Sequence, residues 1–166
     1  QAFAQQELRR WPSRFTVAAK NRHSGSHFFM TIPSLPTGFS GRLLTDPADM
    51  APFLTDWRKR WTGRAIAVAL PDTTEDVATV VRWCATHQVP IVPQGGNTGM
   101  SGACVPDDTG RALVLSLTRL NRVREIDPLN NTMTVEAGCI LQNLQEVARE
   151  ANRLLPLSLA AEGSCT

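Results

Sequence analysis

Residues 65–102 read AIAVALPDTTEDVATVVRWCATHQVPIVPQGGNTGMSG. Ala65 to Leu70 is a continuous apolar run closed by Pro71, the pattern of a buried strand. Asp72 and Thr73 then offer N-cap oxygens, and Glu75 and Asp76 fall in a first turn where the helix dipole favours them. Val77, Val80, Val81 and Cys84 follow at helical spacing. The pattern predicts an amphipathic helix ending near His87 and a second strand over Val89 to Val92. This β-α-β unit delivers its second strand into Pro93-Gln94-Gly95-Gly96-Asn97-Thr98-Gly99-Met100-Ser101-Gly102, where four glycines fall within eight residues. Glycine lets the backbone approach a ligand closely and take positive φ, and successive N–H groups turned inward make an anion nest. A pyrophosphate is the natural guest, and the carboxyl end of a strand is where ligands sit in such units.

Two common glycine motifs do not fit. A Walker A loop needs Gly-Lys-Ser/Thr, and no lysine follows Lys59. A Rossmann fingerprint opens directly into a helix, whereas Pro106 and the Asp107-Asp108-Thr109-Gly110 turn forbid one here. The bland alternative is a long surface turn, since glycine and asparagine are ordinary turn residues.

Working outward, strands are predicted over Arg111 to Ser116 and Val123 to Ile126. Residues 127–131 form a turn, and Thr132 to Ala137 alternates as a half-buried strand. Ile140, Leu144, Val147 and Ala151 return to helical spacing, with Leu141 and Ala148 widening the same face, so a second helix is expected to end near Asn152. Upstream, residues 46–61 are expected to form a short helix carrying Phe53, Leu54, Trp57 and Trp61, with Arg58-Lys59-Arg60 as a solvated basic face. Residues 31–41 carry two prolines and two glycines and read as a linker, with order beginning after them. Residues 1–29 are basic and acid-poor; they read as a transit-like leader or as translated sequence upstream of Met30.

Composition gives no case for a nucleic-acid or membrane partner, and no nucleic acid is expected. Net charge is +2 with 19% charged residues, but residues 1–64 carry +6 and residues 65–166 carry −4. No apolar run approaches the ~20 residues of a membrane helix. Cys84, Cys104, Cys139 and Cys165 form no C-x-x-C pair, so they read as free thiols of a reducing compartment, and no metal site is expected.

The order Val89-Pro90-Ile91-Val92-Pro93-Gln94-Gly95-Gly96-Asn97-Thr98-Gly99-Met100, then Leu113 to Leu117, Thr134 to Gly138, Pro156, and Glu162-Gly163-Ser164-Cys165-Thr166 resembles the FAD-binding half of the flavin-dependent 2-hydroxy acid dehydrogenases. The resemblance is to the PCMH-type group that includes D-lactate, glycolate and D-2-hydroxyglutarate dehydrogenases, and it covers residues 41–166. It implies an α+β FAD-binding domain: leader 1–40, a first subdomain over 41–138 containing the β-α-β unit, and the start of a second over 139–166, cut short at the C-terminus. It implies FAD contacts from Pro93 to Gly102, with Thr98 and Ser101 hydroxyls assisting, and from Pro156, Gly163, Ser164 and Thr166. Some relatives carry a flavin-linked histidine where this chain has Asn97, so the FAD is expected to be non-covalent. Ala103-Cys104-Val105 stands where relatives continue with another glycine.

The implied reaction is hydride transfer from a D-2-hydroxy acid to flavin N5, with electrons passed to a quinone, cytochrome or electron-transfer flavoprotein. The implied location is cytoplasmic, or membrane-peripheral through that acceptor. No catalytic base is nominated: His23 and His27 lie in the leader and His87 at a helix end, where it reads as a cap, so the chain alone is expected to be inactive. The alternatives are a non-catalytic nucleotide-binding or interaction module and a gene product without a stable fold.

Overall fold

The computed structural model describes residues 38–166 in full and, of the preceding segment, the backbone of two strands. Two compact units divide the chain after Thr37. In the first, β1 (Phe15–Lys20) and β2 (His27–Ile32) pair antiparallel, with Phe15 opposite Ile32 and Lys20 opposite His27. The leader expectation assigned no strand here; the β-branched and aromatic residues of FTVAAK and HFFMTI are strand formers. The linker expectation over residues 31–41 placed the start of order after them; Thr31 and Ile32 lie in β2, and Ser40 is hydrogen-bonded to Asp76. Residues 1–14, 21–26 and 33–37 lie outside the described residues.

The second unit is built on a four-stranded sheet in the order β3-β4-β6-β5, from Arg42–Leu44 (β3), Ala65–Leu70 (β4), Ile91–Gln94 (β5) and Ala112–Ser116 (β6). β3 runs antiparallel to β4, and both β4 and β5 run parallel to β6. Every residue of β4 and β6 is buried, as their unbroken apolar runs require of strands covered on both faces. Helix α2 (Thr74–His87) connects β4 to β5 and buries Val80, Trp83 and Cys84. Met50, Ala65, Val68, Leu70 and Val114 form a buried cluster beside Leu44, Phe53, Leu54 and Val92. Leu113 is 1% exposed, so Leu113→Ala is expected to cost about 3 kcal/mol, read as a lowered urea midpoint.

Helix α2 starts as predicted. The Thr73 hydroxyl accepts from Asp76 N–H at 3.1 Å, and the Asp76 carboxylate accepts from Thr73 N–H at 3.2 Å, a capping box. Its end explains a two-residue shift of β5. Gln88 takes a left-handed φ of 53°, and Val89 N–H donates to Cys84 O at 2.9 Å, so Val89 closes the helix instead of opening the strand. His87 Nδ1 lies 2.8 Å from Trp83 O and its ring is tilted against the Trp83 ring at 4.7 Å.

The helix predicted over residues 46–61 is corrected. Asp46 caps α1 (Pro47–Met50), one 3₁₀ turn follows over Ala51–Phe53, and regular structure stops there. Pro52 cannot donate within a continuing helix. Asp56 then folds the chain back, accepting from the N–H groups of Arg60 at 2.7 Å and Trp61 at 2.8 Å, while Thr55 and Thr62 bridge. Trp57 and Trp61 are therefore exposed, at 71% and 57%, and not on a core face.

Strands β7 (Val123–Asp127) and β8 (Thr132–Val135) form an antiparallel hairpin, followed by α3 (Leu141–Glu150). Asp127 makes the turn by accepting from Leu129 and Asn130 N–H, as its position predicted. Glu136 is buried against Arg122 and Arg124. The Arg122 backbone N–H, then its guanidinium, hold the Glu136 carboxyl below the usual range.

Candidate dinucleotide site

The carboxyl ends of β5 and β6 lie side by side, Gln94 opposite Ser116, and Leu117 N–H extends the ladder to Gln94 O at 2.9 Å. Two loops therefore leave the sheet at the same edge: the glycine-rich segment after Gln94, and Leu117-Thr118 after Ser116. Ser116 is fully buried, its Oγ 3.1 Å from Thr118 Oγ1.

The C-terminal segment closes over this edge. Helix α3 has no side-chain N-cap; its first amides are satisfied by backbone, Leu141 N–H donating to Cys165 O and Gln142 N–H to Glu162 O, each at 3.0 Å. Residues 162–165 are thus pinned across the start of α3. On their other side they meet the glycine loop so closely that a Cβ on Gly96 would overlap the Ser164 carbonyl oxygen and sit 2.8 Å from its carbon. A Cβ on Gly95 would meet the Thr166 hydroxyl, the end of a side chain that can turn away.

Between these parts is a cavity of about 270 Å³. Gly96, Gly163, Ser164, Thr166, Thr118, Asn121 and Asn143 give its lining polar groups and backbone. Val123, Ile140, Leu144 and Val147 make the rest of the lining apolar. Ile140, Leu144 and Val147 of the helical stripe line this cavity, while Leu141 and Ala148, which the spacing placed on the same face, are buried.

Of the fourteen residues the sequence nominated, Gly96, Gly163, Ser164 and Thr166 meet at the cavity. Gly95 packs beside them. Among the described residues, no backbone N–H from Gly95 to Gly102 donates a hydrogen bond, and the hydroxyls of Thr98 and Ser101 have no partner. Gln94 is buried, its Nε2 donating to Phe53 O at 2.9 Å and Cys104 O at 2.8 Å. Asn97 Nδ2 likewise donates to Thr55 O at 2.8 Å, so both side-chain amides are spent inside the protein. Gly102, at φ 78°, lies under the Trp61 ring, where a Cβ would come within 2.9 Å. Pro93, Gly99, Met100, Ser101 and Pro156 are exposed and outside the cavity.

Thr118, Asn121 and Asn143 were not anticipated. For Thr118 the signal existed: it follows a buried parallel strand at the same carboxyl edge as the glycine loop. Asn121 and Asn143 depend on how 117–122 and α3 meet in space, which no local pattern encodes. Cys139 lines the cavity, whereas Cys84 is buried, with its thiol pushed up to about 11 by desolvation. Among the described residues no cluster of three or more His, Cys, Asp or Glu side chains could hold a metal ion, and no helix is long and apolar enough to cross a membrane.

Comparison with known proteins gives the same direction. A family model described as FAD binding domain matches residues 65–166. D-2-hydroxyglutarate dehydrogenase of Xanthomonas citri pv. viticola is 43% identical over 125 residues, 75% of this chain and 26% of that protein. The mitochondrial D-2-hydroxyglutarate dehydrogenase of Danio rerio is 37% identical over 154 residues, 93% of this chain and 27% of the relative. The chain thus spans about a quarter of the length of these relatives.

Among solved structures, 6-hydroxy-D-nicotine oxidase from Arthrobacter nicotinovorans superposes with a TM-score of 0.62 at 21% identity, over 72% of this chain and 26% of that one. Substrate-bound p-cresol methylhydroxylase superposes at 0.58 and 26% identity, over 74% and 24%. The α+β fold is that of this flavoenzyme group, and the chain belongs to the FAD binding domain family.

Proposed function

We propose that this chain is the FAD-binding portion of a flavin-dependent dehydrogenase that oxidises a D-2-hydroxy acid of the lactate, glycolate or 2-hydroxyglutarate class. The observation that carries the cofactor assignment is the unpaired run of backbone amides from Gly95 to Gly102, beside a cavity shared by Gly96, Gly163, Ser164 and Thr166. The residues suit the group. Unpaired N–H donors in a glycine-rich loop match an anionic pyrophosphate without a cationic side chain. The cavity pairs hydroxyl and amide side chains with the wall of Val123, Ile140, Leu144 and Val147, which suits one polar-edged ring or sugar. Its volume is near the lower end of the ~300–1,000 Å³ of ligand pockets, so it would take one part of a dinucleotide and the glycine loop another.

FAD would be held non-covalently, since Asn97 offers no nucleophilic nitrogen and its amide is engaged with protein carbonyls. When bound, the flavin supplies the hydride acceptor. What this chain's residues contribute is position and exclusion of water: Gly96 and the 163–166 segment bring backbone to the cofactor, and the α3 stripe walls the cavity. His87 is engaged with Trp83, and no described residue is placed as the base that takes the hydroxyl proton. The onward acceptor would be a quinone, a cytochrome, an electron-transfer flavoprotein or a 2-oxo acid; the last is suggested by a Saccharomyces cerevisiae relative named as a D-2-hydroxyglutarate–pyruvate transhydrogenase. The described cysteines are all free, which supports a reducing compartment such as the cytoplasm.

Two measurements test this. Titrating FAD with the chain is expected to change flavin fluorescence saturably, and an unchanged signal would sink the cofactor assignment. Replacing the matched segment of the Xanthomonas citri relative with this chain is expected to give a protein that oxidises D-2-hydroxyglutarate. A folded chimera that takes no FAD or lacks that activity would overturn the reading of this chain as the FAD-binding portion of such a dehydrogenase.

A further inference from the structure

We infer that Asn97 is a positioning residue of the dinucleotide cradle, acting through a side-chain clasp that ties the glycine loop to residues 52–55 and to Cys104; the inference rests on the FAD reading above. Asn97 stands in the middle of the loop at φ 53°. Its Nδ2 donates to Thr55 O at 2.8 Å and to Pro52 O at 3.3 Å, and its Oδ1 accepts from Cys104 Sγ at 3.2 Å. Both N–H bonds of the amide are therefore committed, so the side chain has no donor left for an anion and the residue can serve a phosphate only through its backbone. Gln94 repeats the arrangement three residues earlier, bonding Phe53 O and Cys104 O. The two ends of the loop, 94 and 104, are thus joined to each other, and its centre is joined to the same strut.

That strut is itself held rigid. The Asp56 carboxylate gathers the N–H groups of Arg60 and Trp61, and the Trp61 ring lies on Gly102 at the far arm of the loop. A segment with four glycines in eight residues loses more backbone entropy on ordering than a glycine-poor one of the same length. Untethered, it would sample many shapes, and a ligand would pay for the selection in affinity. The clasp places that cost in folding instead, so the unpaired amides meet the ligand already arranged.

Asn97→Gly is the informative variant, because glycine adopts the positive φ freely while removing all three side-chain bonds. It is expected to raise the FAD Kd about tenfold or more with an unchanged circular dichroism spectrum. In FAD-free protein it is expected to speed iodoacetamide alkylation of Cys104, followed by peptide mass spectrometry, because the thiol loses its acceptor. Should that variant fail to fold, Cys104→Ala removes one arm only and should weaken FAD about threefold, with Cys104→Ser, which keeps a donor, restoring wild-type affinity. Wild-type FAD affinity in Asn97→Gly, or an unchanged Cys104 alkylation rate, overturns the clasp. If the wild-type chain takes no FAD, the functional reading falls, and the clasp stands or falls on the alkylation rate alone.

Discussion

Gly96→Ala is expected to weaken FAD binding by about 100-fold, a loss of ~2.7 kcal/mol, while Gly95→Ala changes it little. The contrast follows from what each new methyl group would strike. At Gly96 it is the Ser164 carbonyl, which belongs to a backbone pinned on both flanks by the first amides of α3. That carbonyl can yield only if Leu141 and Gln142 N–H lose their acceptors, leaving a helix N-terminus unsatisfied. Overpacking of this kind costs ~1–3 kcal/mol, and the displaced segment carries three of the cavity's lining residues. At Gly95 the obstacle is the Thr166 hydroxyl, which another rotamer removes. Parallel titrations of the two variants check this; equal losses in both would mean that the approach of loop and tail does not shape the site.

Asp76→Ala is expected to lower stability by about 3 kcal/mol, because hydrogen bonds to a charged group contribute ~1.5–3 kcal/mol and a lost helix cap ~1 kcal/mol. Asp76 is 2% exposed, and its carboxylate accepts from Ser40 N–H and Oγ at 2.8 Å each, Asp72 N–H at 3.0 Å and Thr73 N–H at 3.2 Å. The one side chain ties the start of α2 to the chain just before β3. Burial pushes its pKa up, but the bonds from Ser40, Asp72 and Thr73 together outweigh burial and hold it below the ordinary value.

A lowered folded-state pKa means that the unfolded chain takes up the proton first. The contribution is therefore complete above the ordinary aspartate pKa of ~3.9 and is lost as pH falls through the depressed value. Asp56, held low by Trp61 N–H against a smaller burial effect, and Glu136, held low by Arg122, act in the same direction. Urea unfolding at a series of pH values is expected to show wild-type stability falling below about pH 4, with a shallower fall in Asp76→Ala. Identical slopes would show that Asp76 is not the linked group.

Three strands of the sheet and α2 were legible because their signals are local: unbroken apolar runs in β4 and β6, the apolar run that enters β5, and a Thr73–Asp76 cap before a regular apolar spacing, whereas β3, only three residues long, carried no such signal. The stop at Phe53 was not, since it turns on Pro52 and on Asp56 gathering amides four and five residues ahead. At the site, the glycine run declared itself, but its partners did not. That Gly96 faces Ser164 is a contact across 68 positions set by how α3 captures the tail, and that the α3 stripe walls a cavity cannot be distinguished from core packing by periodicity. Gln94 and Asn97 were nominated with their loop as cofactor contacts; their side chains brace it, a role visible only once residues 52–55 are seen to lie beneath.

Competition between FAD and its two halves tests the central claim most directly. If backbone amides of the glycine loop recognise the pyrophosphate, ADP displaces FAD from the chain in a calorimetric titration, and riboflavin, which lacks phosphate, does not. Riboflavin binding as tightly as FAD, or ADP failing to compete, would contradict it.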